Sequence, residues 1–197
     1  MKRARTPPAA AECSVGCKEA QEYARYEIQI LLSDFDLYAE REAELVKMID
    51  NKLKEIPYVD RLLEIKGVGI KTVVGFVAEV GDIGRFDDPK QIQKLAGLAI
   101  VENESGKHKG EHHISYRGRK RLRYVLYEAA VSVVAHNADF KEIYQQYIAR
   151  EKNPLKKMQS MIAVACKLLR VFYMLATTEN HFDGRKMLTD IRRPEVA

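Results

Sequence analysis

A long stretch without glycine or proline, residues 18–56, constrains the fold of this chain more than any other feature. Along it, apolar side chains recur at spacings of mostly three and four: Ala24, Ile28, Leu31, Phe35, Tyr38, Leu45, Ile49, Leu53 and Ile56. Such a repeat predicts a continuous α-helix with one apolar seam. Glu42 lies on the seam, as register-setting polar residues of coiled coils do. We expect residues 18–56 to form a coiled coil that joins chains into a homodimer or a higher oligomer. The alternative is one long helix packed along its own domain.

Beyond Pro57 the sequence predicts shorter helices, because apolar residues recur with helical spacing between glycine and proline punctuation. The predicted helices cover residues 58–64, 70–80, 89–95 (capped by Asp87-Asp88) and 118–137, then one capped by Asp139 and one from Asn153-Pro154 to about Thr178. Residues 98–101 and 112–115 are predicted to pair as a short β-hairpin. The expected fold class is mainly α, with a long N-terminal coiled-coil helix and then a compact helical domain.

Four parts are expected along the chain: a disordered leader (1–17), the coiled-coil helix (18–56), the compact domain (57–183) and a tail (184–197). No apolar run approaches the roughly 18 to 20 residues that span a bilayer, so no membrane association is expected. The three cysteines are odd in number, which predicts a reducing, cytoplasmic setting without a disulfide framework. Two of them, Cys13 and Cys17, lack the further ligands that a zinc site would need.

Positive charge is concentrated between Glu104 and Arg123, where seven Lys or Arg residues face two Glu residues. The resulting +5 equals the formal charge of the whole chain. Charge gathered in one window indicates a phosphate-rich partner rather than general solubility. The cations of this window are Lys107, Lys109, Arg117, Arg119, Lys120, Arg121 and Arg123, and all are predicted DNA contacts.

The last four of these cations fall in the first turns of the helix predicted after Gly118. Cations at this end oppose the helix dipole, at a cost of about 0.3 to 1 kcal/mol each. A phosphate would reverse that effect, because helix N-termini and guanidinium groups both attract it. Nucleic-acid contact is therefore the favoured interpretation, and a solvated basic turn is the alternative.

A Gly67-Val68-Gly69 turn joins two predicted helices in the manner of a helix-hairpin-helix. Glycines leave backbone amides uncovered, and amides at the start of a helix can bind an anion. Lys66 and Lys71 flank the turn, so Lys66, Gly67, Gly69 and Lys71 are also predicted DNA contacts. The alternative is that the glycines only let two helices pack closely.

Ser105 lies in the polar loop just before the basic cluster. A serine hydroxyl is a poor nucleophile without a base, a metal or a positive field. Glu104, His108, His112 and His113 are near in sequence, and the neighbouring Lys and Arg residues could stabilise phosphoryl charge. Most Ser-Gly pairs in loops are only turn residues, however. The three histidines could suggest a zinc site, but the sequence does not support the geometry that such a site needs. The residues alone leave the role of Ser105 open.

The chain resembles a known family through an ordered series of motifs. They are Leu63-Glu-Ile-Lys-Gly67-Val-Gly69, Ala78-Glu-Val-Gly-Asp-Ile-Gly-Arg-Phe86, Leu95-Ala-Gly97-Leu98, Ser105-Gly106, Gly118-(x)3-Leu122-Arg123, Glu128-Ala-Ala130, Tyr144-(x)2-Tyr147 and Asn180-His-Phe-Asp183. The series is similar to the C-terminal, serine-bearing domain of the transposases or recombinases of bridge-RNA-guided insertion sequences, and to related site-specific DNA invertases. It covers about residues 58–183, and the preceding coiled coil also fits that layout.

The resemblance implies DNA cleavage and rejoining through a phosphoserine linkage, with Ser105 as the nucleophile and with a guide RNA as a further partner. Family members also carry an N-terminal ribonuclease-H-like domain with four metal-binding acids, for which this sequence has no counterpart. Mg²⁺ is expected only with that domain, no metal site is expected in this chain, and the chain is expected to be a fragment or an isolated domain. Tyr116-Arg117-Gly118-Arg119 replaces the family's Lys-x-Gly-Asn, which makes the turn more basic.

Other functions remain open beside the DNA transposase or recombinase domain. One is a non-catalytic, dimeric helix-hairpin-helix module that grips DNA or RNA through phosphate contacts. Another is a coiled-coil scaffold with incidental basic charge.

Overall fold

The computed structural model describes residues 21–101, 104–105, 108–109, 113–151 and 153–189. The chain divides into two compact units, residues 1–51 and 52–197. The described part is mainly helical, with strands of two residues each, so the expected fold class is confirmed.

The first unit is described from Gln21, where helix α1 (Gln21–Lys54) begins. This helix runs 34 residues without a break, as the uninterrupted apolar repeat predicts. Every residue from Gln21 to Lys52 is exposed, and Leu53 is the first buried side chain of the described residues. The predicted long helix is therefore confirmed, while its pairing into a coiled coil stays a prediction. Residues 18–20 and the leader lie outside the described residues.

The second unit is built from short helices around one core. Its described helices are α2 (Val59–Leu63), α3 (Ile70–Val80), a 3₁₀ turn (Ile83–Arg85), α4 (Pro89–Leu95), α5 (Lys120–His136), α6 (Ala138–Ile148), α7 (Lys157–Thr177) and α8 (Gly184–Thr189). Helix α5 packs against α3, α6 and α7, and α7 also contacts α2 and α4. Phe76 and Phe172 meet edge to face at 5.0 Å between ring centroids in this core. Such aromatic pairs contribute beyond the area that they bury.

Two short antiparallel strand pairs lie between α4 and α5 in the chain, and they form the hairpin that carries Ser105. Strands β1 (Ile100–Val101) and β4 (His113–Ile114) pair antiparallel at its base. Strands β2 (Glu104–Ser105) and β3 (His108–Lys109) pair antiparallel further out. The predicted hairpin is confirmed, with its strands shorter than expected.

Two helix starts differ from the sequence expectation. Asn137, not Asp139, caps α6, because its side-chain oxygen accepts hydrogen bonds from the amides of Asp139 at 3.0 Å and Phe140 at 3.4 Å. Helix α7 begins at Lys157 rather than at Asn153-Pro154. Asn153 has a φ of 56°, in the left-handed region, so it cannot be part of a right-handed α-helix.

The expected tail also contains structure, since its first residues form α8. Met187 and Leu188 of this helix are buried, and α8 packs against α6. Just before it, Phe182 stacks on Phe140 with ring centroids 6.0 Å apart. The compact domain therefore extends beyond residue 183.

Helix α7 corrects the expectation that no apolar stretch of this chain is long enough to span a bilayer. By length and composition alone it is apolar enough to cross a membrane. Half of its most apolar window is buried within the protein, as in the central helix of an ordinary core, so the resemblance to a membrane span is weak.

Candidate nucleic-acid interface

The start of α5 gathers exposed cations around one carboxylate. Arg119 donates a hydrogen bond to the carbonyl oxygen of Glu79 at 2.6 Å, and its guanidinium lies 3.7 Å from the Glu79 carboxylate. Arg121 lies 3.8 Å from the same carboxylate. One acid thus faces two guanidinium groups, and the surface keeps a surplus of positive charge. The Glu79 side chain is only 17% exposed, whereas those of Arg119 and Arg121 are 48% and 81% exposed.

Lys120 and Arg117 extend the same surface, and both are exposed. Arg121 is more open than Arg119, at 81% exposure of its side chain. The side chain of the N-cap residue, Arg119, forms no hydrogen bond with the first amides of α5. This end of the helix therefore presents Arg117, Lys120 and Arg121, three of the predicted DNA contacts, to solvent.

Arg123 has a different environment from these three cations. Its guanidinium donates to the carbonyl oxygen of Ala96 at 2.9 Å and to that of Tyr116 at 3.4 Å. It also lies 5.4 Å from the centroid of the Tyr116 ring. The side chain is partly buried and holds two backbone segments together. Only the folded backbone could reveal this role, because the partners are carbonyl groups that carry no sequence signal.

Backbone bonds at the base of the hairpin tie it to α4 and α5. The amide of Arg119 donates to the carbonyl of Leu95 at 2.7 Å, and that of Tyr116 donates to Gly97 at 3.1 Å. A Cβ at Gly118, whose φ is 155°, would clash with the Leu95 carbonyl oxygen. The base of the hairpin that carries Ser105 is therefore held by hydrogen bonds and close backbone contacts between the end of α4 and the start of α5.

Ser105 itself is described only through its backbone. In the outer strand pair it lies opposite His108, and Glu104 lies opposite Lys109. His113, on β4, lies opposite Val101 in the inner pair. Lys107 and His112 lie outside the described residues. The fold thus places Ser105 on the hairpin that precedes the basic start of α5, and its role as nucleophile stays a prediction.

The two glycines of the α2–α3 turn have different surroundings: Gly67 packs against α5, and Gly69 is open to solvent. Gly67 has a φ of 97°, and a Cβ there would lie 2.9 Å from the Cα of Val133 in α5. The hydroxyl of Ser132 also donates to the Gly67 carbonyl at 2.7 Å. Gly67 therefore lets the turn pack closely on α5, which is the alternative interpretation of the motif.

Gly69 is exposed and precedes the first residue of α3. A Cβ at Gly69 would meet nothing within 4 Å, and the N-cap residue of α3 is this glycine, which has no side chain to cap the helix. Lys66 and Lys71 on either side are exposed. This half of the turn has the openness that an anion contact requires.

The structure separates these two groups of predicted DNA contacts. Helices α3 and α5 run antiparallel, because Glu79 meets Arg119 at one end while Gly67 meets Ser132 at the other. At 1.5 Å per helical residue, Arg119 and Ser132 are about 20 Å apart along α5. The glycine turn and the start of α5 are therefore two sites rather than one patch.

Metal ligands are not gathered in the part of the chain that the structure describes. Within it, no group of three or more His, Cys, Asp or Glu side chains is placed to hold an ion.

The central part of the chain matches a known protein family. Residues 59–145 match the model of the transposase IS116/IS110/IS902 family. The match runs from α2 into α6 and includes the hairpin and both basic sites. It confirms the predicted resemblance to insertion-sequence transposases, while the relationship to DNA invertases stays a prediction.

Individual relatives are insertion-element proteins or transposases by name. The chain is 26% identical over 143 residues to the insertion element IS116 uncharacterized 44.8 kDa protein of Streptomyces clavuligerus, covering 71% of this chain and 35% of that protein. It is 28% identical over 137 residues to a putative transposase of Sinorhizobium fredii, covering 68% and 34%. The transposase for insertion sequence element IS1111A of Coxiella burnetii is 26% identical over 125 residues, covering 62% and 34%. The chain thus spans about a third of the length of these curated relatives.

Proposed function

We propose that this chain is the part of a DNA transposase that grips the DNA backbone and supplies the attacking serine. The observation that carries the proposal is the exposed basic start of α5, which adjoins the anchored base of the Ser105 hairpin. The names of the relatives support the transposase assignment. DNA is the partner, and a guide RNA and partner chains joined through residues 18–56 belong to the same proposal.

The electrostatics of α5 favour a phosphate ligand. Arg117, Lys120 and Arg121 are exposed at a helix start whose N-cap side chain forms no capping hydrogen bond. A DNA phosphate placed there gains guanidinium and ammonium contacts and the attraction of the helix N-terminus. These contacts are independent of base sequence, so they hold the strand without selecting the site.

The proposed chemistry is a phosphoryl transfer to Ser105. The serine oxygen forms a bond to phosphorus as one P–O bond of the DNA strand breaks. The hydroxyl proton passes to a base, and the departing DNA oxygen takes up a proton. Rejoining reverses these steps and releases the serine. Nearby cations stabilise the negative charge that develops on the phosphoryl oxygens. Acids that hold Mg²⁺ are expected in a separate domain of the complete transposase.

A non-catalytic nucleic-acid-binding module is the second candidate. It is favoured by the glycine turn, where Gly69, Lys66 and Lys71 are open to solvent about 20 Å from the start of α5. Two phosphate sites at this separation would let one domain hold a backbone at two points without any chemistry at Ser105.

The Ser105→Ala variant distinguishes the two candidates. We expect it to bind duplex DNA as the unchanged chain does, because the cations remain. We also expect it to abolish the covalent protein–DNA adduct in a denaturing gel, with the complete transposase that contains this segment as the test protein. An adduct that persists in Ser105→Ala would exclude this serine as the nucleophile.

Salt dependence tests the binding surface separately. Removing one cation that binds a phosphate should reduce the slope of log K against log salt by about 0.9 for duplex DNA. We expect Lys120→Gln and Arg121→Gln to flatten the slope in a fluorescence anisotropy titration. Lys141→Gln, an exposed cation of α6, is the matched control and should leave the slope unchanged.

A further inference from the structure

A groove lies between the C-terminal half of α7, the segment 180–183 and α8. Its volume is about 320 Å³. Its walls include neither the start of α5 nor the glycine turn. The groove is thus distinct from both basic sites described above, and neither the family match, which ends at residue 145, nor the DNA-binding proposal involves it.

Positive charge dominates the polar wall of this groove. Lys167, Arg170 and Lys186 line it, against a single carboxylate, Asp183. Among the described side chains, neither Arg170 nor Lys186 forms an ion pair. An anion in the groove would therefore meet Arg170 and Lys186, whereas Lys167 has a partner of its own.

The acid in the groove is already engaged by the backbone. The Asp183 carboxylate accepts hydrogen bonds from the amides of Arg185 at 2.9 Å and Lys186 at 3.4 Å, at the start of α8. His181, also in the wall, is held by Glu64, whose carboxylate lies 2.8 Å from the imidazole Nδ1. These contacts keep both groups in place and leave Arg170 and Lys186 as the charges that face a ligand.

The remaining wall is apolar and well supported. Met174, Phe182 and Met187 line it. Phe182 stacks on Phe140 at 6.0 Å, and Met187 is only 5% exposed, so this side of the groove is packed against the core. A ligand that suits both walls carries an anionic group beside a flat apolar body.

We propose that this groove holds one nucleotide of an unpaired nucleic-acid strand. The phosphate lies against Arg170 and Lys186, and the base lies against Met174 and Phe182. The volume is at the small end of the range of ligand sites and suits one such unit. A base stacked inside a duplex is not available to an apolar wall, whereas unpaired bases are commonly held on apolar or aromatic side chains. The chemistry is common to single-stranded DNA and RNA.

NMR signals of the methionine methyl groups can detect a ligand in this groove. The chain contains six methionines, of which Met174 and Met187 line the groove while Met158 is exposed elsewhere on α7. With ¹³C-methyl-methionine in the full chain, we expect oligo(dT) and oligo(U) to shift the Met174 and Met187 signals and not that of Met158. A stronger response to oligo(U) or to oligo(dT) identifies RNA or DNA as the source. Equal shifts with a duplex of the same length, or no shift with either single strand, would overturn the proposal.

Charge variants test the phosphate contacts. Arg170→Gln combined with Lys186→Gln should weaken single-strand binding by about tenfold or more, because counterion release is lost at both positions. Arg185→Gln is the matched control, since Arg185 is exposed on the same helix and does not line the groove. Equal weakening by the control would show that general charge, not the groove, binds the strand. Inorganic phosphate that shifts the methyl signals as fully as the oligonucleotides would reduce the site to an anion site and overturn the role of the base.

This inference and the proposed function fail separately. Lys120→Gln and Arg121→Gln should weaken duplex binding and leave the methionine shifts with oligo(dT) intact. Arg170→Gln combined with Lys186→Gln should reduce the methionine shifts with oligo(dT) and leave duplex binding intact.

Discussion

Lys120 and Arg123 lie one turn apart at the start of α5, and their side chains end in different surroundings. Lys120 is exposed, while the guanidinium of Arg123 bonds the carbonyls of Ala96 and Tyr116. From the sequence, both residues are predicted DNA contacts, because both belong to the same basic window. The charge of Arg123 is instead used inside the protein, where it holds the end of α4 and the base of the hairpin.

Arg123→Ala should therefore lower the free energy of unfolding. Hydrogen bonds from a charged donor contribute about 1.5 to 3 kcal/mol, and we expect a loss in that range. Lys120→Ala should change the free energy by less than about 0.5 kcal/mol, as exposed substitutions usually do. Urea denaturation followed by circular dichroism measures both, and equal effects would contradict the structural role of Arg123.

Cys166 makes stability depend on pH in the alkaline range. Burial raises the pKa of its thiol from 9.0 to about 11, although the nearby Arg170 acts in the opposite direction. The folded protein therefore keeps the thiol neutral while the unfolded chain ionises it. The resulting stability is complete below pH 9 and is lost as pH rises toward 11, at about 1.4 kcal/mol per unit of pKa difference.

Cys166→Ala should remove this part of the pH dependence. We expect the difference in free energy of unfolding between Cys166→Ala and the unchanged chain to become smaller from about pH 9 to about pH 11, the interval between the two pKa values of the thiol. Urea titrations at several pH values provide the measurement. A constant difference would show that the thiol titrates alike in both states.

At the scale of elements, the α2–α3 turn shows how one motif serves two purposes. Gly67 brings the turn against the backbone of α5, and Gly69 precedes the open start of α3. Gly75, further along α3, makes room for the side chain of Val125, since a Cβ there would lie 2.8 Å from it. The close approach of α3 and the turn before it to α5 thus depends on two glycines, Gly67 in the turn and Gly75 within α3.

Gly67→Ala and Gly69→Ala should differ sharply in stability. The first variant meets the Cα of Val133 at 2.9 Å and must keep a φ of 97°, so we expect a loss of more than about 2 kcal/mol. The second has a φ of −104° and open space around it, so we expect only the loss of a glycine N-cap, less than about 1 kcal/mol. Thermal unfolding of the two variants side by side is the test. Similar losses would mean that the turn does not pack on α5 as described.

At the scale of the whole molecule, α1 presents an apolar surface along its length. Large apolar side chains that are well exposed include Tyr23, Tyr26, Leu31, Leu32, Phe35, Tyr38, Leu45 and Met48. Soluble proteins rarely leave such an extended apolar surface uncovered. The seam predicted from the sequence therefore remains the basis for expecting that chains associate through this helix.

Phe35→Glu should weaken that association. A charge on the seam is costly to bury, so we expect sedimentation velocity to detect a smaller species at micromolar concentration. Ser33→Glu places the same charge on an exposed position away from the seam and should leave the oligomeric state unchanged. A monomer before any substitution would contradict the coiled-coil prediction.

The elements that the sequence predicts best are those with local signals. Helices α3 and α4 have the expected bounds, because a glycine cap begins one and Asp88 followed by Pro89 begins the other. The predicted start of α7 was wrong, because the helix begins at Lys157 and Asn153 has a left-handed φ of 56°. The predicted cap of α6 was also wrong, because Asn137, two residues before Asp139, is itself a favoured cap residue and accepts the capping hydrogen bonds. The helix in the expected tail was missed because its apolar residues are too few to form a periodic pattern.

By itself, the sequence determined the mainly helical class, the uninterrupted α1, the hairpin and the concentration of positive charge that continues into the start of α5. These features depend on neighbours along the chain, through helical periodicity, caps and breakers. Only the tertiary structure decided that Arg123 bonds backbone carbonyls, that Gly67 packs while Gly69 stays open, and that the glycine turn and the start of α5 are separate sites. The physical reason is that these outcomes depend on groups far apart in the chain, above all carbonyl oxygens and close backbone contacts that every residue type supplies.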